Sequence, residues 1–198
     1  YTPLASLLRP NSLSDYVGQS HLIGEQGTIS RMLAQKNCYS MIFWGPPGTG
    51  KTTLVHLIAE QLDADVIELS AINSGVKEIR AAIGDASLSL TNVNSDLFAR
   101  QKVVFVDEIH RFNKSQQDAF LPYVESGHII LIGATTENPS FSVNRALLSR
   151  LRVFILEKLS TDELMTLLNS AIKFLQEREN KCIEFEENAS LALISQSN

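Results

Sequence analysis

The chain has 198 residues, of which 44% are hydrophobic and 20% charged, and its formal net charge is −5. This is the composition of a soluble globular protein with one good core and room for a second small one; no apolar run reaches the ~18–20 residues of a membrane helix, and Tyr1-Thr2-Pro3 opens no signal-peptide pattern. The acidic balance argues against a dedicated nucleic-acid-binding domain, so any DNA contact needs a local basic patch or several copies acting together.

In chain order, the apolar run Ser40–Trp44 predicts a strand stopped by Gly45-Pro46-Pro47-Gly48. A helix is expected from about Lys51 to Leu62, with Leu54, Leu57, Ile58 and Leu62 on one face. Val66–Leu69 reads as a strand and Val76–Ile83 as a helix; the polar stretch Thr91–Asp96 reads as a solvated connection. Lys102–Asp107 is a strand with four consecutive apolar residues, Val103 to Val106. Asn113 to about Val124 is a helix in which Pro122 marks a kink or an early stop, because proline cannot donate to the residue four before it. Ile129–Ala134 and Val153–Leu156 complete the strands. Continuous apolar strands alternating with helices indicate a parallel α/β sheet covered on both faces.

The character changes near Glu157–Ser160. Ser160-Thr161-Asp162-Glu163 has the form of a capping box, Ser at the N-cap and Glu three residues on, and a helix should run from there to about Glu179. A short extended piece over Ile183–Phe185 and a helix over Asn188–Ser195 follow. The expected division is a core over residues 1–157 and the start of a small helical lid over 158–198. Without an initiator Met, the chain is expected to begin inside a longer gene product. Cys38 and Cys182 are far apart and read as reduced cysteines of a cytosolic protein, and His21, His56, His110 and His128 lack metal-ligand spacing.

Gly45-Pro46-Pro47-Gly48-Thr49-Gly50-Lys51-Thr52 matches G-x-x-x-x-G-K-[ST] between a predicted strand and a predicted helix, the context this phosphate-binding loop requires. Glycines let the backbone wrap around phosphates, and the helix N-terminus points free N–H groups at them. Lys51 supplies charge for the terminal phosphates and the Thr52 hydroxyl a ligand for Mg²⁺. The strand ending in Asp107-Glu108 delivers two carboxylates to the edge where open α/β sheets bind ligands. Asp107 is expected to hold Mg²⁺, and Glu108 to orient and polarise the attacking water. Asp107-Glu108-Ile109-His110 also spells a DExH helicase box, but the further blocks of that family are not found in the chain.

The loop in its Gly-Pro-Pro-Gly-Thr-Gly-Lys-Thr form is typical of AAA+ ATPases. Asp107–Asp118, Gly133–Phe141 and Ser74–Arg80 resemble the RarA/MgsA family, which includes the eukaryotic Werner-helicase-interacting ATPase; Arg111–Lys114 and Glu137–Phe141 are the most family-specific stretches. Clamp loaders and the Holliday-junction motor RuvB are more distant relatives. The resemblance implies a three-layer P-loop sandwich with a partial α-helical lid, hydrolysing ATP with Mg²⁺. It places the segments Leu8-Arg9-Pro10 and Tyr16-Val17-Gly18-Gln19 at the adenine pocket, with Arg9, Pro10, Val17 and Gly18 as its binding residues and Thr53 beside the phosphate loop, and it puts Thr136 at the sensor 1 position. Arg150, in Leu148-Ser149-Arg150, takes the place of an arginine finger reaching a neighbouring subunit, with Arg145 and Arg152 as alternatives. The sensor 2 arginine is expected beyond Asn198. Lys77 and Arg80, three apart on one helical face, correspond to a helix that faces DNA in clamp-loader rings. The implied partners are single-stranded or forked DNA, single-strand-binding protein, replisome components and further copies of the chain. The implied role is replication, recombination and repair at stalled or gapped forks, in the cytoplasm or, for a eukaryote, the nucleus. A RuvB-like branch-migration motor and a nucleotide-gated scaffold are the alternatives.

Overall fold

The structure is a computed structural model that describes residues 7–72, 74–88, 102–179 and 194. The connection expected over 91–96, the extended piece over 183–185 and Cys182 lie outside them, as does the helix over 188–195 apart from Ile194. In chain order come a 3-10 turn (Leu13–Asp15), α1 (Ser20–Ile23), α2 (Thr28–Ala34), β1 (Met41–Trp44), α3 (Lys51–Gln61), β2 (Asp65–Leu69), α4 (Val76–Leu88) and β3 (Lys102–Val106). A second 3-10 turn (Ile109–Arg111), α5 (Lys114–Asp118), α6 (Leu121–Glu125), β4 (Ile130–Thr135), α7 (Pro139–Ser142), α8 (Arg145–Leu148), β5 (Arg152–Ile155) and α9 (Thr161–Glu179) follow.

The five strands form one parallel sheet in the order β2-β3-β4-β1-β5. Successive side chains of a strand point to opposite faces, and both faces are buried here. Met41 and Phe43 face one layer, with Leu54, Val55 and Ile58 of α3 and Ile29 of α2. Ile42 faces the other, with Ile79, Ile83, Phe120 and Leu147. Met41, Ile42 and Phe43 are fully buried, each contributing ~1.5–3 kcal/mol relative to exposure. That double burial is why β1 reads as an unbroken apolar run rather than an alternating one.

Because every strand is parallel, all the C-terminal ends share one edge of the sheet. Trp44 pairs with Thr135, and Val106 with Gly133. The turns after β1, β3 and β4 therefore emerge side by side. β1 lies between β4 and β5 while the chain leaves it for the distant β2, so the strand order switches direction at the phosphate loop, where such sheets leave a crevice.

Two helices differ from expectation. The helix expected over Asn113–Val124 is two helices, α5 and α6, with the break at Ala119–Phe120. Pro122 sits in the first turn of α6, where its missing N–H has no intrahelical partner to lose, so it starts a helix rather than ending one. Asn113 caps α5 through a reciprocal box with Gln116 (2.9 Å and 2.8 Å). The helix beginning at Val76 runs on to Leu88 instead of stopping at Ile83. The capping box before α9 forms as expected: Ser160 N–H donates to Glu163 Oε2 (2.7 Å), and Glu163 N–H to Ser160 Oγ (3.2 Å).

Candidate functional site

The loop between β1 and α3 takes a shape that L side chains resist. Gly48 and Gly50 have φ of 76° and 85°, in the left-handed region. At Gly50, the N-cap of α3, a Cβ would also overlap the Tyr16 hydroxyl. The loop is tied at its base by Gly45 N–H donating to the Thr135 carbonyl (3.1 Å) and internally by Thr49 Oγ1 donating to the Pro46 carbonyl (2.9 Å). Lys51, the first residue of α3, folds back so that Nζ donates to the Gly45 and Pro46 carbonyls (2.7 Å and 2.6 Å). Burial holds its ammonium below the usual lysine range, and the Asp107 carboxylate partly offsets that.

After β3 the chain turns sharply at Glu108, which has φ 49° and ψ 51°, a left-handed conformation uncommon for a residue with a side chain. Asp107 Oδ1 accepts from Glu108 N–H (3.0 Å). Glu108 Oε2 pairs with Arg111 Nε at 2.8 Å across the 3-10 turn. His110, on the same turn, reaches β4: its Nδ1 lies 3.0 Å from Thr135 Oγ1, which also accepts from Glu137 N–H (3.0 Å). The strand expected to end at Ala134 thus runs one residue further. Thr135 is buried and its hydroxyl is committed to protein partners. Thr136 is exposed on the cavity wall, and no protein hydrogen bond to its hydroxyl is found among the described residues.

These turns open into a cavity of about 860 Å³. Its floor is the loop from Pro47 to Thr53, with Asp107, Glu108 and Thr136 along one side. Arg9, Pro10 and Val17 line another side with Leu8 and Tyr16, and Leu159, Leu167, Leu168 and Ala171 close it from the α9 side. Gly45 and Pro46 act behind the wall through their carbonyls on Lys51. Gly18 does not line the cavity; the space its Cβ would take is filled by Leu159. Thr52 and Asp107 both line the cavity, a hydroxyl and a carboxylate whose hard oxygen donors suit Mg²⁺.

Three residues make bonds at this site that the sequence did not assign to them. Tyr16 donates through its buried hydroxyl to the Thr49 carbonyl (3.0 Å), and burial pushes its phenol far above the usual range, so it stays a donor. Gln19 joins the same carbonyl to the start of the α9 segment. His110 joins the turn after β3 to β4. Tyr16 and Gln19 belong to the segment expected at the adenine pocket, but that expectation carried no bonding role for either.

Arg150, Lys77 and Arg80 stand outside the cavity. Arg150 is exposed; Nη2 pairs with Glu125 of α6 at 2.5 Å, and Nη1 donates to the Ala146 carbonyl (2.7 Å) and Ser149 Oγ (3.0 Å). Of the two alternatives, Arg152 is committed to Tyr39, with its guanidinium carbon 4.1 Å from the ring centroid and Nη1 donating to the hydroxyl (2.9 Å). Arg145 is exposed on α8. Lys77 and Arg80 are both exposed on α4, while Ile79 between them is buried.

The ATPase family associated with various cellular activities (AAA) matches residues 41–159. Replication-associated recombination protein A of Haemophilus influenzae is 54% identical over 173 residues, 87% of this chain and 37% of that protein. Its Escherichia coli counterpart is 52% identical over the same share of each. The ATPase WRNIP1 of Dictyostelium discoideum is 42% identical over 98% of this chain and 21% of its own length. The chain thus spans little more than a third of the bacterial relatives. Among solved structures, a variant of Thermotoga maritima RuvB superposes with a TM-score of 0.70 at 26% identity, covering 93% of this chain and 58% of that one.

Proposed function

This chain belongs to the AAA family of ATPases and groups within it with the replication-associated recombination proteins, and from that premise we propose that the cavity binds ATP with Mg²⁺ and hydrolyses it to ADP and phosphate. The carrying observation is convergence: Lys51 and Thr52, Asp107 and Glu108, and Thr136 come from three separate turns and line one cavity. The loop amides and the N-terminus of α3 hold the phosphates. Lys51 trades its two carbonyls for phosphate oxygens. Thr52 and Asp107 would hold Mg²⁺, which would supply positive charge against the phosphates. Glu108, once released from Arg111, orients and deprotonates the attacking water. The free Thr136 hydroxyl reports on the terminal phosphate or that water. Leu8, Pro10 and the α9 leucines form an apolar slot for the base.

In the full-length protein Arg150 acts on a neighbouring copy's site, residues 158–198 form the start of a lid, and Lys77 and Arg80 contact DNA backbone electrostatically. The role is ATP-driven work in replication, recombination and repair. A branch-migration motor is the second reading, favoured by the likeness to RuvB. The test is Glu108→Gln in the full-length protein: ATP affinity stays within about twofold while turnover falls by about 10²–10⁴, the range of a lost general base. Normal turnover in that variant, measured by phosphate release, would remove Glu108 from the chemistry.

A further inference from the structure

A buried glutamine joins the phosphate loop to the start of the lid segment. Gln19 is 5% exposed and sits just before α1 in the left-handed region, φ 54° and ψ 34°. Its side-chain amide meets Glu157 as one peptide meets another in a sheet: Nε2 donates to the Glu157 carbonyl (2.7 Å), and Oε1 accepts from the Glu157 N–H (2.9 Å). The second hydrogen of Nε2 reaches the Thr49 carbonyl at 3.4 Å. Both amide hydrogens and one acceptor site are thereby used within the protein. Thr49 lies in the loop, and Glu157 follows β5 two residues beyond Ile155.

The surroundings leave this bridge little room for other duties. Tyr16 already donates to the Thr49 carbonyl at 3.0 Å, so Gln19 is not needed to satisfy that oxygen. Next to Glu157, Leu156 N–H donates to the Trp44 carbonyl (2.8 Å), and the Leu156 carbonyl occupies the space a Cβ at Gly45 would take. Leu159, two residues beyond Glu157, fills the space beside Gly18, the neighbour of Gln19. Loop, N-terminal segment and lid start thus form one packed unit. Within it the 3.4 Å contact is the slack member, the one a small shift of the loop would tighten or break.

We infer that Gln19 is a positioning residue that transmits filling of the phosphate loop to the lid hinge at Glu157. The inference rests on the nucleotide-binding reading of the cavity. Phosphates bound on the loop amides reset the Thr49 peptide. Gln19 follows its carbonyl, and the paired Glu157 backbone follows Gln19. The lid then feels the phosphates without touching them.

Inorganic pyrophosphate is the probe, because it fills the loop but lacks the base and ribose that would reach the α9 leucines directly. Amide hydrogen exchange at Glu157 and along α9 is followed in the full-length protein with and without it. In the wild type pyrophosphate should change the Glu157 exchange rate by about fivefold, the worth of one net hydrogen bond. In Gln19→Leu pyrophosphate should still bind within about twofold, since the loop donors remain, while the exchange response disappears. Gln19→Glu keeps the side-chain length and an acceptor for the Glu157 N–H but loses the donor to Thr49, and should lose the response too. A stability defect alone would raise exchange equally with and without the probe. If both variants prove insoluble, the side-chain amide resonances of wild-type Gln19 decide: they must shift when pyrophosphate binds, and their standing still defeats the proposal. An unchanged exchange response in either soluble variant overturns it as well. Pyrophosphate failing to bind even the wild type would defeat the nucleotide reading of the cavity, and this proposal with it.

Discussion

The phosphate loop, after the end of β1, and the Arg150 turn, before the start of β5, lie at opposite edges of the parallel sheet and are secured in opposite ways. The loop is held through buried backbone and side-chain bonds, from Gly45 to Thr135, Thr49 to Pro46, and Tyr16 to Thr49. Arg150 is held at the surface by one carboxylate, one carbonyl and one hydroxyl, all within its own or the neighbouring helix. Buried bonds fix a geometry because losing one leaves an unpaired polar group away from water. Exposed ion pairs fix little because solvent substitutes for either partner. A group that works on its own cavity can be built into the core. One that works on a second copy must be free to leave its resting partner. On the proposed reading of Arg150, the contrast accounts for the cavity residues converging within this chain while Arg150 stands outside the cavity.

The largest effect that sharpens this contrast is at Arg150. In the full-length protein Arg150→Ala should lower ATP turnover by about 10³–10⁵, the range of lost finger residues, with ATP affinity nearly unchanged. Mixed with Glu108→Gln, it should regain partial turnover, because some interfaces then pair an intact Glu108 with an intact Arg150. No recovery despite demonstrated co-assembly would place Arg150 in its own subunit's chemistry, or in none. Lys51→Ala should do the opposite. Loss of a charge-assisted contact should weaken ATP binding by about tenfold to a hundredfold, and mixing should not restore affinity to the altered subunits. Titration of a fluorescent ATP analogue measures it, and unchanged affinity would remove the phosphate-loop assignment.

What could be read in advance follows the same division. The loop motif is legible because eight contiguous residues, Gly45 to Thr52, carry its chemistry. The β3 strand is legible because Val103 to Val106 are all buried and all apolar. Pro122 marked an interruption of the helix expected over Asn113–Val124, but neither its place at Ala119–Phe120 nor the burial of the nearby Gln117 was legible. That polar side chain is 2% exposed, donates to the Phe112 and Ser142 carbonyls, and accepts from the Asn144 N–H. Partners distant in sequence satisfy it, and no local pattern announces them. The bonds of Gln19 to Thr49 and Glu157 were not legible for the same reason. α1, with four residues, is too short to show a helical period, and α2 has only seven. Thr136 lines the cavity, but the strand end beside it was misjudged by one residue, because the polar Thr135 is buried and bonded to His110.

The next effect is bounded by that of Lys51→Ala, since deprotonation removes the charge but leaves the chain. Burial lowers the Lys51 ammonium from its ordinary value of 10.5 in the free protein, and bound phosphates raise it again. Binding therefore favours the protonated form. Affinity is full below the lowered free-protein value, falls as pH rises through it, and levels off above the raised value of the complex. Calorimetric ADP binding should accordingly weaken, with proton uptake, at a pH below the ordinary lysine value, where an unburied lysine would still be charged. Lys51→Arg, whose guanidinium stays charged, should abolish the slope. A wild-type slope surviving in that variant would assign the titration to another group.

The smallest effect falls on the resting contact of Arg150. Glu125→Ala removes a partner 2.5 Å from Nη2, a distance that would suggest a strong bond if the pair were buried. The two side chains are 39% and 49% exposed, so solvent screens the attraction and each retains hydration when the pair opens. Arg150 also keeps its bonds to the Ala146 carbonyl and Ser149 Oγ. Stability should therefore fall by less than about 1 kcal/mol, read by urea unfolding. If the pair only parks the side chain, its loss makes Arg150 easier to extend toward a neighbour, and turnover of the full-length protein should rise by at most about fivefold, the rate equivalent of the same energy. A tenfold or greater fall in turnover would mean that Glu125 aims the guanidinium rather than resting it. Arg150 would then be as firmly positioned as the phosphate loop, and the contrast between the two regions would fail.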